Sequence, residues 1–128
     1  MKLLLDTCTF LWIASRPESL SAPARTLFKD PENEVYLSAA SSWEIAMKHA
    51  IGRLPLPEPP DRLIPRLRER HGVSPLPIDE ESTMHVTRLP PLHRDPFDRI
   101  LVCQSIVHGM TLLTPDPLIT QYPARVMW

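Results

Sequence analysis

Short apolar runs separated by amphipathic segments run the length of this chain. Leu3–Leu5 is a continuous apolar run that ends at an acid, which is the pattern of a strand buried on both faces. Val35–Leu37 and Thr111–Thr114 repeat this pattern, and Arg125–Met127 is a weaker example. Leu76–Ile78 predicts a short edge strand. The chain is therefore expected to form a sheet of short strands.

Apolar residues at helical spacing fill the intervals between these runs. The predicted helices cover Phe10–Ala14, Ala22–Lys29, Ser41–Ile51, Arg62–His71, Glu80–Arg88 and Pro96–His108. The last of these is apolar on nearly every side, so we expect it to be a central, well-buried helix. Gly52 and Gly72 follow two of the helices as plausible stops. Strands that alternate with helices predict an α/β sandwich around a central, mostly parallel sheet.

The composition is that of an ordinary globular domain. The chain has 128 residues, of which 43% are hydrophobic and 23% charged, and this apolar content excludes intrinsic disorder. We expect a single domain over residues 1–128. No stretch approaches the ~20 apolar residues of a membrane span, and the first apolar run is too short for a secretory leader. A cytoplasmic protein without membrane contact is expected, with the proline-rich Leu54–Pro60 as a stiff surface loop.

Charge and cysteine content narrow the classes of function. A formal net charge of −1 provides no global positive field for nucleic acid. Arg62, Arg66 and Arg70 recur every four residues and predict either a solvated helix face or a strip that follows a nucleic-acid backbone. Cys8 and Cys103 lie far apart without a CxxC motif, so neither a disulfide framework nor a thiolate zinc site is indicated. Both are expected to be buried, reduced thiols.

Other motifs carry less information. The five histidines form no HExxH pattern, and the sequence contains neither a glycine-rich phosphate loop nor a GxSxG elbow. His93 and Arg94 either hold a phosphate or lie in a solvated loop. Trp12 and Trp43 are expected in the core or at an interface rather than as platforms for stacked bases.

Four acidic residues fall where an α/β fold gathers its ligand-binding groups. Asp6 ends the first predicted strand, and Asp116 follows the third long run. Ligands of open α/β sheets bind beyond the carboxyl ends of the strands. Glu44 and Asp98 are each expected in the first turn of a helix, from which both can face the same edge. The four carboxylates are therefore candidates for one site.

Each acid also has a purely structural interpretation. These are a helix cap at Asp6, a capping box at Ser41 and Glu44, a second cap arrangement at Asp95 and Asp98, and a turn at Asp116. If the acids do converge, carboxylates ~5 Å apart repel by roughly 3 kcal/mol at an effective dielectric of about 20. A divalent cation offsets this repulsion, and an all-oxygen site suits Mg²⁺ or Mn²⁺ better than zinc. Spacing alone leaves both interpretations open.

Four sequence blocks occur in the order typical of a known family. They are Asp6-Thr7 after the leucine run, Ser42–Lys48, His93–Arg99 and Leu113–Asp116. In these blocks the chain resembles the PIN-domain ribonucleases, and in particular the VapC toxins of type II toxin–antitoxin pairs. The resemblance runs nearly end to end and implies a PIN-like sandwich.

The same resemblance implies an endoribonuclease that depends on Mg²⁺ or Mn²⁺, forms a homodimer and is blocked by a small antitoxin protein. Pro115, next to the fourth acid, is an unusual filler and can alter the direction of that acid. The implied catalytic and metal-binding acids are Asp6, Glu44, Asp98 and Asp116, with Asp95 as a companion acid. Thr7 and Thr114 are the implied supporting threonines, and Arg94 and Arg99 are the implied RNA-binding arginines.

Three other classes of protein are alternatives for this pattern. A phosphoacceptor receiver domain expects adjacent acids after the first strand and a lysine late in the chain, but Asp6 has no acidic neighbour and no lysine follows Lys48. A phosphatase with an aspartate nucleophile expects Asp-x-Asp, and Cys8 occupies the second position. A catalytically inactive PIN-like domain that binds RNA or a partner protein remains the alternative.

Overall fold

A computed structural model describes residues 1–128 and contains one five-stranded sheet. The strands are β1 (Lys2–Leu5), β2 (Glu34–Ser38), β3 (Val73–Leu76), β4 (Thr111–Leu113) and β5 (Val126–Met127). They are ordered β3-β2-β1-β4-β5, and every neighbouring pair is parallel. The predicted α/β architecture is therefore confirmed, with a sheet that is parallel throughout.

Six α-helices connect and flank the strands. They are α1 (Thr7–Ser15), α2 (Ala22–Lys29), α3 (Ala39–Ala50), α4 (Pro60–His71), α5 (Glu80–His85) and α6 (Pro96–Val107). The prediction of a buried final helix is confirmed, because α6 has a fully buried segment from Leu101 to Ser105. None of these helices has both the length and the apolar character that a membrane crossing requires.

The central strand β1 divides the core into two halves. Leu3, Leu4 and Leu5 are all fully buried, as expected for a strand covered on both faces. Because successive side chains point to opposite faces of a sheet, Leu3 and Leu5 pack in one hydrophobic cluster and Leu4 in the other. The first cluster joins the sheet to α1 and α4, and the second joins it to α6.

The predicted edge strand is misplaced in the sequence-based assignment. The structure forms β3 over Val73–Leu76 instead of Leu76–Ile78, and β3 pairs with β2 in parallel register. Gly72 ends α4 in a left-handed conformation (φ 67°) and turns the chain directly into this strand. Pro75 is tolerated because β3 lies at the edge of the sheet, where one side needs no ladder hydrogen bonds.

Several helix boundaries also differ from the predictions, and α1 begins at Thr7 instead of Phe10 because Asp6 caps it. The helix expected from Arg62 begins at Pro60 and continues through Pro65. The segment expected to be one helix over 80–88 is α5 followed by a 3₁₀ turn, Val86–Arg88. The loop predicted over residues 54–60 is a surface segment that gives way to α4 at Pro60.

The cysteines and tryptophans agree only in part with the expectations. Both thiols are free and Cys103 is buried, but Cys8 is only half-buried. Trp12 packs against Trp128 with ring centres 6.0 Å apart, in the first core cluster. Trp43 is not a core residue, because it is 59% exposed. Its ring packs edge-on against Phe97, with ring centres 5.1 Å apart. The other expectation for Trp43, a position at an interface, stays a prediction.

A hydrogen-bonded acid at the start of α5 makes the stability of the fold sensitive to acid. Asp79 caps α5 and accepts from Ser82, and His108 Nε2 lies 2.8 Å from Asp79 Oδ1. The His108 contact, followed by the Ser82 hydroxyl, holds the pKa of Asp79 well below its usual value of 3.8. A carboxylate with a lowered pKa stabilises the fold above the unfolded-state pKa, and this contribution is lost as the pH falls through the folded-state pKa.

Replacement of Asp79 with asparagine is therefore expected to lower the urea midpoint at pH 6 and to weaken its decline between pH 5 and pH 2. The measurement is urea unfolding across this pH range, followed by circular dichroism. Asp61→Asn is the matched control, since Asp61 is an exposed acid in the first turn of α4. Identical pH dependence in wild type and Asp79→Asn would contradict the role assigned to this carboxylate.

Candidate active site

The structure brings all five sequence-predicted acids into one cleft of about 270 Å³ at the carboxyl edge of the sheet. Its polar lining consists of Asp6, Thr7, Cys8, Glu44, Lys48, Asp95, Asp98 and Asp116. Leu11, Ile45 and Leu54 supply the apolar part. The cleft therefore concentrates carboxylates where open parallel sheets place their ligands.

Asp6 is buried at the junction between β1 and α1 and is held from three sides. The Thr114 hydroxyl donates to Asp6 Oδ2 at 2.6 Å, and the Thr7 backbone N–H donates to Oδ1 at 2.7 Å. The Cys8 thiol lies 3.4 Å from Oδ2. Burial raises the pKa of Asp6, and these hydrogen bonds oppose the rise. The predicted cap is confirmed, and Asp6 occupies a single orientation at the edge of the cleft.

Glu44 reaches the cleft from α3, but not from its first turn. The helix begins at Ala39 with Ser38 as its cap, so the expected capping box of Ser41 and Glu44 does not form. Glu44 lies one turn further along, buried, and accepts from the Thr7 hydroxyl at 2.8 Å. Lys48 Nζ, one helical turn away, contacts the other carboxylate oxygen at 2.5 Å. This contact raises the pKa of Lys48.

Asp98 lies in the first turn of α6, as predicted. Asp95 caps this helix by accepting from the backbone N–H groups of Phe97 and Asp98, at 2.9 and 3.3 Å. Burial, with the negative charges of Asp95, Asp6 and Asp116, raises the pKa of Asp98 to about 7. A hydrogen bond from His93 opposes this rise. The cleft thus carries more negative charge than its own cations neutralise.

Asp116 is half-buried in the turn that follows β4. Its backbone N–H donates to the Thr114 hydroxyl oxygen at 3.1 Å, and its Oδ1 accepts from the Leu118 N–H at 2.9 Å. The Thr114 hydroxyl therefore links the backbone of one acid to the carboxylate of Asp6. The turn interpretation is confirmed, and the same turn carries Asp116 into the cleft.

The arginines predicted to hold RNA occupy different environments. Arg94 is exposed. Arg99 is half-buried, and its Nη1 donates to the Pro90 carbonyl and the Tyr122 hydroxyl at 3.1 and 3.0 Å. Arg62, Arg66 and Arg70 are exposed along α4, where Arg66 pairs with Glu58 at 2.9 Å. Contact between any of these residues and RNA stays a prediction.

Three side chains at or next to the site were not anticipated as part of it. Lys48 had a weak signal, since it lies four residues after Glu44 and thus on the same helix face. The sequence offers His93 either as a phosphate ligand or as part of a solvated loop, whereas in the structure it contacts Asp98. Tyr122 had no sequence signal, because only the tertiary fold brings it to His93.

The donor chemistry of the cleft fits a hard divalent cation, because carboxylate oxygens are the ligands that Mg²⁺ and Mn²⁺ prefer. The side chains are not assembled into a finished coordination set, since no three His, Cys, Asp or Glu groups are close enough to hold an ion. Lys48 is paired with Glu44 in this arrangement. Binding of a cation would therefore require movement of the acidic side chains toward one another.

Comparison with known proteins is consistent with this architecture. Ribonuclease VapC16 of Mycobacterium tuberculosis (strain ATCC 25618 / H37Rv) is 44% identical over 61 residues, a match that covers 48% of this chain and 43% of that protein. The matched part is thus less than half the length of this relative.

Solved structures share the fold over nearly the full length. VapBC2 from Rickettsia felis, bound to a DNA fragment from its promoter, has a TM-score of 0.75 and 16% identity, with coverage of 99% of this chain and 98% of that one. The DNA-bound VapBC from Salmonella typhimurium has a TM-score of 0.67 and 17% identity, with coverage of 99% and 97%. Residues 3–124 match the profile of the PIN domain, and the chain therefore belongs to the PIN domain family.

Proposed function

We propose that this protein is a metal-dependent endoribonuclease and the toxin of a type II toxin–antitoxin pair. The observation that carries the proposal is the cleft lined by five carboxylates at the carboxyl edge of the sheet. The local identity to a ribonuclease of the VapC group supports RNA as the substrate. The VapBC complexes that share the fold support a small antitoxin as partner.

In this proposal Asp6, Glu44 and Asp98 hold Mg²⁺ or Mn²⁺, and Asp116 completes the site directly or through water. When bound, such a cation lowers the pKa of water and neutralises charge that develops on phosphoryl oxygens. The hydroxyls of Thr7 and Thr114 hold Glu44 and Asp6 in place. Asp95 keeps the first turn of α6 in position through its two backbone contacts.

Cationic side chains would bind the RNA strand. Lys48 supplies a positive charge within the cleft, and its release from Glu44 would free the ammonium group to contact a phosphate oxygen. Arg94 and the exposed arginines of α4 are the other candidates for backbone contacts. Arg99 keeps its remaining N–H groups for such a contact. The proposed protein is a single domain that forms a homodimer. Its proposed location is the cytoplasm, where its thiols stay reduced.

The second candidate function is a PIN-like domain that binds RNA or a partner protein without cutting. The observation in its favour is that the acids are not assembled into a finished metal-binding set. Titration of Mn²⁺ into the protein separates the two functions, because a nuclease of this type must bind the cation.

The decisive experiment is cleavage of labelled total RNA by the purified protein, with Mn²⁺ or Mg²⁺ and again with EDTA, beside the variant Asp6→Ala. Discrete fragments that require both the metal and Asp6 are expected. Removal of the metal should reduce cleavage to background, because the acids alone provide no positive charge for the phosphate. Absence of cleavage under every metal condition, by folded protein free of antitoxin, would favour the non-cutting domain.

A further inference from the structure

A chain of side-chain hydrogen bonds leads from Asp98 into the second core cluster. His93 Nε2 lies 3.2 Å from Asp98 Oδ2, and His93 Nδ1 lies 2.6 Å from the Tyr122 hydroxyl. The side chains of His93 and Asp98 are only 11% and 15% exposed. Tyr122 is buried and packs in the second core cluster. Water therefore has little access to compete for these hydrogen bonds.

Arg99 sets the direction of the hydrogen bonds in this chain. Its Nη1 donates to the Tyr122 oxygen at 3.0 Å, and a guanidinium group can only donate. The tyrosine oxygen therefore accepts from Arg99. Its own buried proton has His93 Nδ1 as its one hydrogen-bond acceptor, so the Tyr122 O–H is assigned as the donor to Nδ1. Arg99 is itself held by the carbonyl of Pro90 at 3.1 Å, so this end of the chain is anchored to backbone.

The direction of these hydrogen bonds determines the tautomer of His93. A neutral imidazole whose Nδ1 accepts a hydrogen bond carries its proton on Nε2. That Nε2–H then donates to Asp98 Oδ2. The imidazole also packs against the Tyr122 ring, with centres 5.3 Å apart, which restricts its rotation. With Oδ2 engaged in this way, Oδ1 is the Asp98 oxygen that has no hydrogen-bond partner and is open to a ligand in the cleft.

We infer that His93 is a positioning residue, held by Tyr122 and Arg99, that orients Asp98 to receive a divalent cation in the cleft. The inference rests on the proposed function, because it assigns Asp98 a cation. Partners that hold metal-binding carboxylates in place matter energetically, and their loss typically costs roughly 10–100-fold in metal affinity or activity. Arg99, expected from the sequence to contact RNA, donates to Tyr122 at the far end of this chain of hydrogen bonds.

Tyr122→Phe is the sharpest variant, because it removes one hydroxyl from a buried ring and creates almost no cavity. His93→Leu removes the donor to Asp98, whereas His93→Gln keeps an amide N–H that can reach the same oxygen. Tyr36→Phe is the matched control, since Tyr36 is a half-buried tyrosine that packs in the same core cluster. Thermal unfolding of each variant confirms that the protein measured is folded.

The first measurement is Mn²⁺ affinity by isothermal titration calorimetry, with RNA cleavage as a function of Mn²⁺ beside it. His93→Leu is expected to bind Mn²⁺ roughly 10–100-fold more weakly, Tyr122→Phe to be affected in the same direction, and His93→Gln to recover part of the loss. The KM for RNA should stay within about a factor of two, because the proposed function gives neither His93 nor Tyr122 a contact with the RNA strand. Tyr36→Phe should match wild type.

The second measurement needs no metal. Nitrogen-15 NMR of metal-free wild type should show His93 with its proton on Nε2, and Tyr122→Phe should increase the other tautomer. A proton on Nδ1 in wild type, or Mn²⁺ affinities unchanged in both His93→Leu and Tyr122→Phe, would overturn the inference and leave the proposed function standing. A wild-type protein that binds no Mn²⁺ would overturn the proposed function itself, and the inference with it.

Discussion

Replacement of Asp98 with asparagine is expected to reduce RNA cleavage by roughly 1,000-fold or more. Asparagine keeps the size and shape of the side chain and can still accept from His93, but it removes the negative charge that would hold a cation. A loss of several kcal/mol of charge stabilisation in the transition state corresponds to a rate factor of this size. The measurement is the initial rate of cleavage of labelled RNA at saturating Mn²⁺.

The same substitution should leave the fold as stable as wild type or more stable. Burial and the neighbouring acids raise the pKa of Asp98 from 3.8 to about 7, so the ionised side chain is disfavoured in the folded protein at neutral pH. An acid with a raised pKa lowers stability at pH values above its unfolded-state pKa. Asparagine removes this cost, and the thermal midpoint should not fall.

Asp30→Asn is the control for Asp98→Asn, because Asp30 is an exposed acid at the end of α2, outside the cleft. It should retain wild-type cleavage. Cleavage by Asp98→Asn at a rate close to wild type would refute the assignment of Asp98. A large loss of both cleavage and folding would instead show that this carboxylate stabilises the structure.

Replacement of Leu4 with alanine is expected to destabilise the protein by about 2–5 kcal/mol. Leu4 is fully buried in the central strand and packs in the second core cluster with Val102 and Leu112. Truncation loses the transfer free energy of the side chain and leaves a cavity that the parallel strands on both sides cannot close. Since domains are typically stable by about 5–15 kcal/mol, this is a large fraction of the total.

Thermal and urea unfolding measure this effect, with a decrease in the midpoint of roughly 10 °C or more. Lys2→Ala is the matched control, because Lys2 is exposed in the same strand and should change the midpoint little. A loss below about 1 kcal/mol for Leu4→Ala would contradict the division of the core by β1. The change tests the fold independently of any activity.

The strands and helices were predictable because local patterns determine them. Three leucines in succession indicated a strand covered on both faces, and the start of α6 was indicated by Asp95 and a proline at its first position. The errors lie where tertiary contacts override local signals. β3 begins three residues earlier than expected, because Gly72 turns the chain and β2 offers a partner. Pro75 is tolerated because β3 is an edge strand.

The candidate site shows the same division. Motif blocks named all five acids. Asp6 and Asp116 converge because each follows the carboxyl end of a parallel strand, whatever their separation in sequence. Glu44 reaches the same cleft from α3, and Asp95 and Asp98 reach it from the start of α6. Sequence spacing assigned Glu44 to the wrong helical turn, since the cap at Ser38 was not recognised and the chain offered Ser41 as an equally suitable residue. A shift of a few residues at a helix start changes which turn an acid occupies.

The sequence by itself determined the parallel α/β architecture, the buried central strand and the identity of the acids, because hydrophobic period and motif order are local properties of the chain. Only the tertiary structure decided how those acids are held. The Lys48 contact with Glu44 and the hydrogen-bond chain from Arg99 through Tyr122 to His93 depend on side-chain geometry. Such contacts join residues from separate elements at distances near 3 Å, and no periodicity in the sequence encodes them.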